Sequence, residues 1–528
     1  MKILFLSAEV APFVKVGGLS QVMYFLPQAL TKQGHDVRIF MPKYASIEDK
    51  QAEKRWRLKK EIEHLLVPIE NSQIKSEAEL ENNSLKCNIK SYPKTRATVN
   101  TYFLENKEYY ELRANTYGYK DDHIRFALLS KGCLEWLLLM RKLVNKKDKQ
   151  GWFPDVIHCN DWHTGYFIEL AKKSKRYKNI FAKVPIVFTI HNLLHQGNYD
   201  FRYGSNAKPD SGSTPLASLL SPQLQMQNSL LRGILYADAV NTVSPTYAVE
   251  ILTSEYGVGL EEALQKVRGK LTGILNGLDI KEFNPETDPI IFRKYSISNS
   301  SSERRKNKLD LQRSFFLEEN PDNPLLAVLG RLSQQKGWDL LLEVLPRILA
   351  TRENVQLIIL GSGDDRYRDR IHKLQNLYPN QVGLHLRSDF RLPRKIFSGV
   401  DSMLMPSTFE PGGIVALEAL RYGAVPLVRR TGGLNDIISD FDPVTKKGNG
   451  FSFKKNNPWE FFASLIKALT IYKQTNVWEK LVRNCMSSNF SWKHSALSYE
   501  SLYKNVLEGK RRSISITSHP AYKQLVEI

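Results

Sequence analysis

Short apolar runs alternate with amphipathic stretches along the first half of the chain. The runs are about five residues long and are bounded by polar or glycine-containing segments, as is typical of strands buried on both faces of a parallel sheet. The intervening stretches at residues 19–33 and 124–143 have the spacing of helices that bury one face. The candidate strands are residues 3–7, 37–40, 155–158, 186–189 and 239–243. This alternation predicts a doubly wound α/β sheet.

The same alternation starts again near Pro324. The candidate strands of this second half are residues 325–329, 356–360, 383–386, 402–405 and 424–428. The polar segment 286–322 is predicted to connect a domain of residues 1–285 to a domain of residues 323–492. Residues 46–120 are less regular and are predicted to hold a variable insertion, while residues 199–226 have the composition of a mobile loop. The expected fold is therefore two Rossmann-like domains facing a cleft.

Size and composition agree with two globular domains. The chain has 528 residues, of which 42% are hydrophobic and 25% charged, and this length suggests two domains of roughly 250 residues each. Its four cysteines are scattered without a CxxC pair, which argues against a disulfide framework or a zinc site and predicts a reducing, cytoplasmic location. The sequence has no apolar run of the roughly 18 residues that a membrane span needs. Residues 2–7 could resemble a short signal segment, but Glu9 interrupts them and a core strand is favoured.

The formal net charge of +20 raises the question of a nucleic-acid partner. The basic residues gather in loop-like stretches such as residues 146–149 and 304–308. No recognition helix, RRM signature or zinc finger accompanies them, so a solvated basic surface is favoured over nucleic-acid binding. Part of the charge can still attract an anionic substrate.

The segment around Glu410 is the most informative candidate site. A strand pattern ends at Pro406, Glu410 lies in a Pro/Gly-rich turn, and residues 413–422 have helical spacing. Such a turn presents free backbone N–H groups at a helix start, where anions and sugar oxygens are favoured. Glu418 completes an E-x7-E pair, and a second glycine turn follows at residues 431–433. This order of strand, turn and helix predicts a nucleotide-sugar pocket.

Two basic loops follow strands at corresponding places in the two halves. Residues 15–19 (KVGGL) combine Lys15 with two glycines, and residues 330–337 carry Arg331 and Lys336. Arginine can hold a diphosphate through two parallel hydrogen bonds, and lysine adds a point charge. For the first loop a plain βα turn with a surface lysine is at least as good an explanation, and for the second a basic loop that caps a helix remains an alternative.

Histidine-rich segments follow two strands of the first half, at residues 158–165 and 189–197. Strand carboxyl ends are where open α/β sheets bind ligands, and His, Asp and Asn side chains suit sugar hydroxyls. The sequence has neither HExxH nor a compact cage of His and carboxylates, so no metal is predicted. A single histidine is more often structural than functional, and His163 is the exception that we favour.

Together these segments resemble the bacterial glycogen synthases and plant starch synthases, which are retaining glycosyltransferases of family 5 with the two-domain GT-B fold. The resemblance runs almost end to end. It is carried by KVGGL at residues 15–19, HCNDWH at 158–163, HNLLHQG at 191–197, TVSPTYA at 242–248, LNGLD at 275–279, Arg331 with Lys336, and RRTGGL at 429–434.

The resemblance implies transfer of glucose from ADP-glucose to the non-reducing end of an α-1,4-glucan, with retention of configuration and without a metal or other cofactor. Arg331 and Lys336 would neutralise the leaving diphosphate, and Glu410 would hold the glucose hydroxyls. The other implied substrate-binding residues are Lys15, Gly17, Gly18, His191, Asn192, Asn276, Gly412, Gly413, Glu418, Thr431, Gly432 and Gly433.

Two further implications concern the reaction centre. His163 would lie against the sugar near its anomeric carbon. Asp121 matches a family aspartate near the reacting atoms, but Asp122 stands where the family usually has asparagine, so the assignment could slip by one residue. Domain closure would exclude water, and residues 493–528 would cross back to the first domain as a helix.

The chain departs from the family pattern near Glu410 and before Tyr236. Thr408, Gly412, Ile414 and Ala416 replace the usual Arg, Cys, Leu and Gln, Glu418 replaces an aromatic residue, and Leu231 replaces a lysine. These changes leave the phosphate-binding positions intact and affect substrate choice. The alternatives are another donor such as UDP-glucose, a different acceptor, or a weakly active glucan-binding or initiation protein.

Overall fold

The chain forms two compact units. The computed structural model describes residues 1–48, 56–68, 81, 84–95, 98–119, 121–148, 151–200, 226–389 and 391–509. The first unit contains residues 1–243 and 248–274 and resumes at Ser495, and the second contains residues 244–247 and 275–494. Each unit is built on its own largely or wholly parallel sheet, which confirms the predicted pair of α/β domains. None of the helices in the described residues has the length and apolar character of a membrane span.

The first unit has a sheet of nine described strands in the order β11-β10-β7-β6-β1-β2-β5-β4-β3. These are β1 (Lys2–Leu6), β2 (Asp36–Pro42), β3 (Lys59–Pro68), β4 (Ser84–Tyr92), β5 (Asn100–Glu105), β6 (Val156–Asn160), β7 (Ile186–Ile190), β10 (Ala239–Thr242) and β11 (Leu271–Gly273). A separate hairpin pairs β8 (Asn198–Asp200) with β9 (Met226–Asn228). The strand order reverses between β1 and β6, and in open α/β sheets ligands bind at such a switch point.

Residues 46–120 are more regular than predicted. Strands β3, β4 and β5 lie in this segment and extend the sheet, β5 pairing parallel with β2 and β4 pairing antiparallel with β5. The predicted mobile loop at residues 199–226 lies for the most part outside the described residues.

Helices cover the first sheet, and the last helix of the described chain belongs largely to this unit. They are α1 (Gly18–Lys32), α2 (Asp122–Asn145), α3 (Gly165–Lys173), α4 (Lys178–Phe181), α5 (Ser229–Tyr236), α7 (Glu261–Lys266) and α16 (Trp492–Leu507), while α6 (Pro245–Glu250) contains residues of both units. From Ser495 onward α16 belongs to the first unit, where the Tyr503 hydroxyl lies 2.8 Å from Nδ1 of the buried His158. Residues 510–528 lie outside the described residues.

The second unit has a sheet of six described strands, all paired in parallel, in the order β14-β13-β12-β15-β16-β17. They are β12 (Leu325–Leu329), β13 (Gln356–Leu360), β14 (Val382–His385), β15 (Ser402–Met405), β16 (Val425–Arg429) and β17 (Phe451–Phe453). Numbered within the unit, this is the 3-2-1-4-5-6 order of doubly wound folds, and its switch point lies between β12 and β15.

The helices of the second unit include one that the sequence analysis did not expect. They are α8 (Ser300–Ser314), α9 (Trp338–Thr351), α10 (Asp365–Leu377), α11 (Leu392–Gly399), α12 (Ile414–Arg421), α13 (Gly432–Ile437), α14 (Pro458–Tyr472) and α15 (Thr475–Ser487). Residues 286–322, predicted as a connector, belong to this unit, because α8 packs against α11. The basic stretch 304–308 is therefore helical and not loop-like, and its Arg304 and Lys308 are buried.

Candidate functional site

Two loops meet at the switch point of the second sheet. One follows β12 and contains residues 330–337, and the other follows β15 and contains residues 406–413. The Thr408 N–H donates to the Gln335 carbonyl at 2.9 Å. Gly337 has a φ of +74°, and a Cβ there would lie 2.0 Å from the Pro406 carbonyl oxygen. Only glycine allows this approach, so the backbone itself holds the two loops together.

An ion pair lies where these loops meet. Nζ of Lys336 is 2.5 Å from Oε2 of Glu410, and the Ser407 hydroxyl donates to the same oxygen at 3.2 Å. The two charged side chains are 22% and 16% exposed, so solvent screens them only in part. An ammonium has three donors and this contact uses one of them. Lys336 can therefore hold Glu410 and still bind oxygen atoms of a ligand.

The second glycine turn is joined to the Glu410 turn by main-chain contacts. The Gly433 N–H donates to the carbonyls of Glu410 at 2.9 Å and Pro411 at 3.0 Å. Gly432 has a φ of +44°, and a Cβ there would lie 2.2 Å from the Glu410 carbonyl oxygen. A Cβ on Gly433 would likewise lie 2.5 Å from the carbonyl carbon of Gly412. Both turns predicted from the sequence thus form one packed element.

Three other predicted residues lie in or beside this element. Gly413 has a φ of +63° and precedes the first residue of α12. Glu418 lies in the second turn of α12 and is buried. Thr431 is fully buried, and its hydroxyl has no hydrogen-bond partner among the residues that the structure describes.

Two arginines differ in their roles beside this element. Arg331 is exposed, and its nearest polar contact runs from Nη2 to Oε1 of Gln335 at 3.5 Å. Within the described ranges no carboxylate pairs with it, so its guanidinium is available to an anionic ligand. Arg429 is buried and donates through Nε to the Ser407 carbonyl at 2.8 Å. Sequence reasoning had quoted Arg429 only as part of a motif and missed this supporting contact.

Asn276 lies in a different loop of the second unit. The neighbouring Leu278 N–H donates to the Phe490 carbonyl at 2.7 Å, which fixes the loop. Asn276 is buried, and its Oδ1 accepts no hydrogen bond from the described residues. A buried amide oxygen without a partner is costly, which makes Asn276 a candidate ligand contact.

In the first unit the KVGGL turn lies at the switch point between β1 and β6. Residues 15–18 are exposed, and α1 begins at Gly18 with neither a capping side chain nor an acidic residue in its first turn. The carboxylate of Glu9 holds the turn in place, because its Oε2 accepts hydrogen bonds from the N–H groups of Val16 at 2.9 Å and Gly17 at 3.0 Å. Burial raises the pKa of Glu9, and the two amide hydrogen bonds lower it. Sequence reasoning missed this role, although an acid inside an apolar run was the available signal.

His163 follows β6 in a short turn and is enclosed by aromatic rings. The ring centroids of Trp162, Phe126 and Tyr117 lie 4.2, 4.6 and 5.0 Å from that of the imidazole. Its Nδ1 has no hydrogen-bond partner within the part of the chain that the structure describes. Burial holds the pKa of His163 well below its ordinary value. The imidazole is therefore neutral at neutral pH.

Asp161 brings the predicted His191 and Asn192 to the same sheet edge as His163. It has a φ of +55°, and its Oδ1 accepts the His191 N–H at 2.7 Å. Burial raises the pKa of Asp161 to about 7, while the backbone amides of His191 and Asn192 lower it. The His191 ring is fixed in turn by Asn160, whose Oδ1 lies 3.0 Å from Nε2. Asp161 thus holds the loop after β7 beside the turn of His163.

Asp121 and Asp122 are both engaged in buried ion pairs. Nη2 of Arg113 donates to Oδ2 of Asp121 at 2.6 Å, and Nη1 of Arg125 donates to Oδ1 of Asp122 at 2.5 Å. Asp122 also accepts the Gly118 N–H at 2.8 Å. The two neighbouring aspartates therefore anchor different arginines at the start of α2. Among the described residues no group of three or more His, Cys, Asp or Glu side chains is arranged to hold a metal.

Comparisons with known proteins agree with this geometry. Residues 2–266 match the family described as the starch synthase catalytic domain, and residues 312–484 match glycosyl transferases group 1. The glycogen synthase of Clostridium novyi (strain NT) is 38% identical over 510 residues, which cover 96% of this chain and 99% of that protein. The glycogen synthase of Geobacillus stearothermophilus is 36% identical over 524 residues, covering 97% and 99%.

Solved structures give the same result. The catalytic domain of starch synthase IV from Arabidopsis thaliana, bound to ADP and acarbose, superposes with a TM-score of 0.79 at 30% identity, covering 96% of this chain and 99% of that one. A sucrose-phosphate synthase from Thermosynechococcus elongatus, with a TM-score of 0.56 at 17% identity, shares the fold. The two α/β units and these matches define a glycosyltransferase with two Rossmann-like domains. The chain belongs to the family of bacterial glycogen synthases and plant starch synthases, as its sequence motifs had indicated, and it is a glucosyltransferase.

Proposed function

We propose that this chain transfers glucose from ADP-glucose to the non-reducing end of an α-1,4-glucan, with retention at the anomeric carbon. The carrying observation is the Lys336–Glu410 pair at the switch point of the second sheet, with Arg331 in the same loop as Lys336. The similarity to a starch synthase structure bound to ADP and acarbose supports this donor and this type of acceptor. A cytoplasmic location is supported by the four cysteines, all of which are free thiols and buried.

The second unit supplies the groups for the diphosphate and the sugar. As the bond from the anomeric carbon to the diphosphate oxygen breaks, negative charge grows on that oxygen, and Arg331 and Lys336 stabilise it. The carboxylate of Glu410 can only accept hydrogen bonds, so it suits the hydroxyls of the glucose. The other contacts in this proposal come from the Gly412 and Gly413 amides, Glu418, Asn276 and the turn at residues 431–433.

The first unit supplies groups that tolerate positive charge on the sugar. Oxocarbenium character develops at the anomeric carbon, and a protonated histidine beside it would oppose that charge. The depressed pKa of His163 keeps the imidazole neutral, which makes it a compatible neighbour. Lys15, Gly17 and the amide of Gly18 contact the donor, with the Gly17 N–H itself held by Glu9, and His191 and Asn192 contact sugar hydroxyls. Asp121 serves near the reacting sugar with its carboxylate already bonded to Arg113.

The test is transfer from labelled donor to glycogen. Purified full-length protein is incubated with ADP-glucose or UDP-glucose, and incorporation into the polymer is measured. We expect labelling from ADP-glucose at a higher kcat/KM than from UDP-glucose. A higher kcat/KM for UDP-glucose would mean that UDP-glucose, and not ADP-glucose, is the donor. If a folded protein labelled glycogen from neither donor, the proposal would be refuted.

The site assignment is tested separately by substitution. Lys336→Ala and Glu410→Ala are each expected to lower kcat by roughly 100-fold or more, because each removes a charged group aimed at the reacting part of the donor. Lys480→Ala, at an exposed lysine of α15, is the matched control and should transfer normally. Near-normal transfer by both site variants would contradict the assignment while leaving the overall reaction untouched.

A further inference from the structure

A cavity lies at the amino-terminal ends of strands in the second sheet, opposite the carboxyl ends that lead into the candidate site. It has a volume of about 350 Å³ and is walled by α8 and α15. Its floor contains Pro324 and Asp401, which directly precede β12 and β15. The Lys336 and Glu410 loops follow the carboxyl ends of these two strands, so the cavity is separated from them by the length of the sheet. Its volume lies at the lower end of the range of about 300–1,000 Å³ that small-molecule sites occupy.

Basic side chains outnumber acidic ones in the cavity wall. The basic residues are Arg304, Arg305, Lys308, Lys473 and Arg483. The acidic residues are Asp322, Asp401 and Glu479, so an excess of two positive charges remains. The carboxylates are already engaged, Asp401 with Lys308 at 2.6 Å, Asp322 with Arg305 at 2.8 Å, and Glu479 with Arg483 at 3.6 Å. The charge excess therefore lies on the two remaining basic residues, Arg304 and Lys473.

Arg304 is the buried source of this excess. Its side chain is almost inaccessible, at 7% exposure for the residue, and its hydrogen bonds go to neutral oxygens. Nη1 donates to the Phe397 and Tyr422 carbonyls, and Nη2 donates to the Val400 carbonyl. Within the described ranges no carboxylate pairs with this guanidinium. Nη1 also donates to the Tyr295 hydroxyl at 3.4 Å. A buried charge that is solvated only by such neutral dipoles attracts an anion more strongly than an exposed one does.

Lys473 adds an available charge at the same cavity. It is exposed at the end of α14, and none of the described carboxylates lies within ion-pair distance of it. Two aromatic rings complete the wall beside it. Tyr472 and Trp478 have ring centroids 5.1 Å apart and an interplanar angle of 78°, so they form an apolar corner. The cavity thus combines cations with a surface that suits the carbon part of a ligand.

We propose that this cavity binds a small phosphate monoester. Such an ester carries about −1.5 to −2 charges near pH 7, which matches the excess of two positive charges. Its phosphate is held by the basic wall, and its carbon part packs against Tyr472 and Trp478. The site is independent of the proposed donor site.

The experiment is calorimetric titration of the full-length protein with three probes: glucose 1-phosphate, AMP and orthophosphate. We expect saturable 1:1 binding of at least one of the two monoesters, with orthophosphate at least tenfold weaker. Preference for glucose 1-phosphate identifies a sugar phosphate, and preference for AMP identifies a nucleotide. Affinity for orthophosphate equal to that for both esters would overturn the assignment, because the aromatic corner would then contribute nothing.

Substitutions separate this cavity from the donor loops. The side chain of Arg305 is 50% exposed and Lys473 is exposed, so the double variant Arg305→Gln/Lys473→Gln is expected to fold. It should bind the ester about tenfold more weakly. Lys306→Gln is the matched control, because Lys306 neighbours Arg305 on α8, is equally exposed and does not line the cavity. Lys306→Gln and Lys336→Ala should leave the affinity unchanged. The proposal would be refuted if Lys336→Ala abolished ester binding while the double variant preserved it. It would also be refuted if none of the probes bound saturably.

Discussion

Replacing Asp161 by asparagine is expected to stabilise the protein at neutral and alkaline pH. Asp161 has a φ of +55° and a ψ of −180°, outside the left-handed helical region, and asparagine is its closest replacement in size and shape, so the exchange makes no new demand on the backbone. Its Oδ1 accepts the His191 N–H at 2.7 Å, and the side-chain oxygen of asparagine can accept the same bond. The substitution therefore keeps the His191 contact and removes a buried charge, while the Asn192 N–H loses its charged acceptor.

The magnitude follows from the pKa of Asp161. Burial raises it from the ordinary value of 3.8 to about 7, so the folded state holds the proton more tightly than the unfolded state. The free energy of unfolding is then unaffected by this group below pH 3.8, falls as the pH rises from 3.8 to about 7, and is constant above. About three pKa units at about 1.4 kcal/mol each amount to about 4 kcal/mol. Asparagine avoids this loss.

The assay is differential scanning calorimetry of both proteins between about pH 4 and pH 8. One kcal/mol moves the Tm of a domain of this size by about 2–4 °C, so the Asp161→Asn protein should melt several degrees higher at pH 8. The difference should shrink toward pH 4. Asp155→Asn is the matched control, because Asp155 precedes the same strand β6, is exposed, and also accepts a backbone N–H, that of Lys2 at 2.7 Å.

Two results would refute this reasoning. One is an Asp161→Asn protein that melts at or below the wild-type temperature at pH 8. The other is a gain in Tm that stays the same as the pH falls, since that gain would come from backbone conformation and not from the charge. A similar pH-dependent gain in Asp155→Asn would show that burial is not its cause.

Three further predictions concern residues that support the candidate site. Glu9→Ala should raise KM for ADP-glucose by about tenfold, because the Val16 and Gly17 N–H groups lose their acceptor. Glu9→Gln should raise KM less. Equal KM values for the wild type and both variants in steady-state assays would contradict this. Gly337→Ala should lower the stability measured by calorimetry by at least about 2 kcal/mol, because its Cβ would clash with the Pro406 carbonyl. The control Gly34→Ala has a φ of +90° but no atom within 4 Å of the added Cβ, and it should cost only about 1 kcal/mol. Asp121→Asn should destabilise the protein by about 3–5 kcal/mol, since it removes the carboxylate paired with buried Arg113, and an unchanged Tm would exclude this structural role.

Buried parallel strands were predictable because both of their faces must be apolar. Residues 325–329, 356–360 and 402–405 were assigned to strands with the bounds that the structure has. The strands within residues 46–120 were not predicted, because they lie toward one edge of the sheet. Half of the residues of β3 are exposed and several of these are charged, so the strand lacks the apolar run that reveals a central strand.

The chemical groups of the candidate site were predictable as residue types, but their supports were not. Glu410 and Lys336 stand out because charged residues follow buried strands in glycine-containing loops. Asp161 and Arg429 act through backbone groups that lie far from them in the sequence, and no local pattern reports such contacts. The same holds for Arg304, whose burial depends on carbonyls at the ends of other helices.

The packing of Gly432 and Gly433 on the Glu410 turn limits how the proposed donor site can change. An insertion or deletion in either turn would separate main-chain atoms that now touch, so loop length is not a free variable there. Exchange of side chains around a constant backbone is the route that remains open. Thr408 in the Glu410 turn and Ala416 in α12 are therefore the places where a designer seeking a new donor preference should begin.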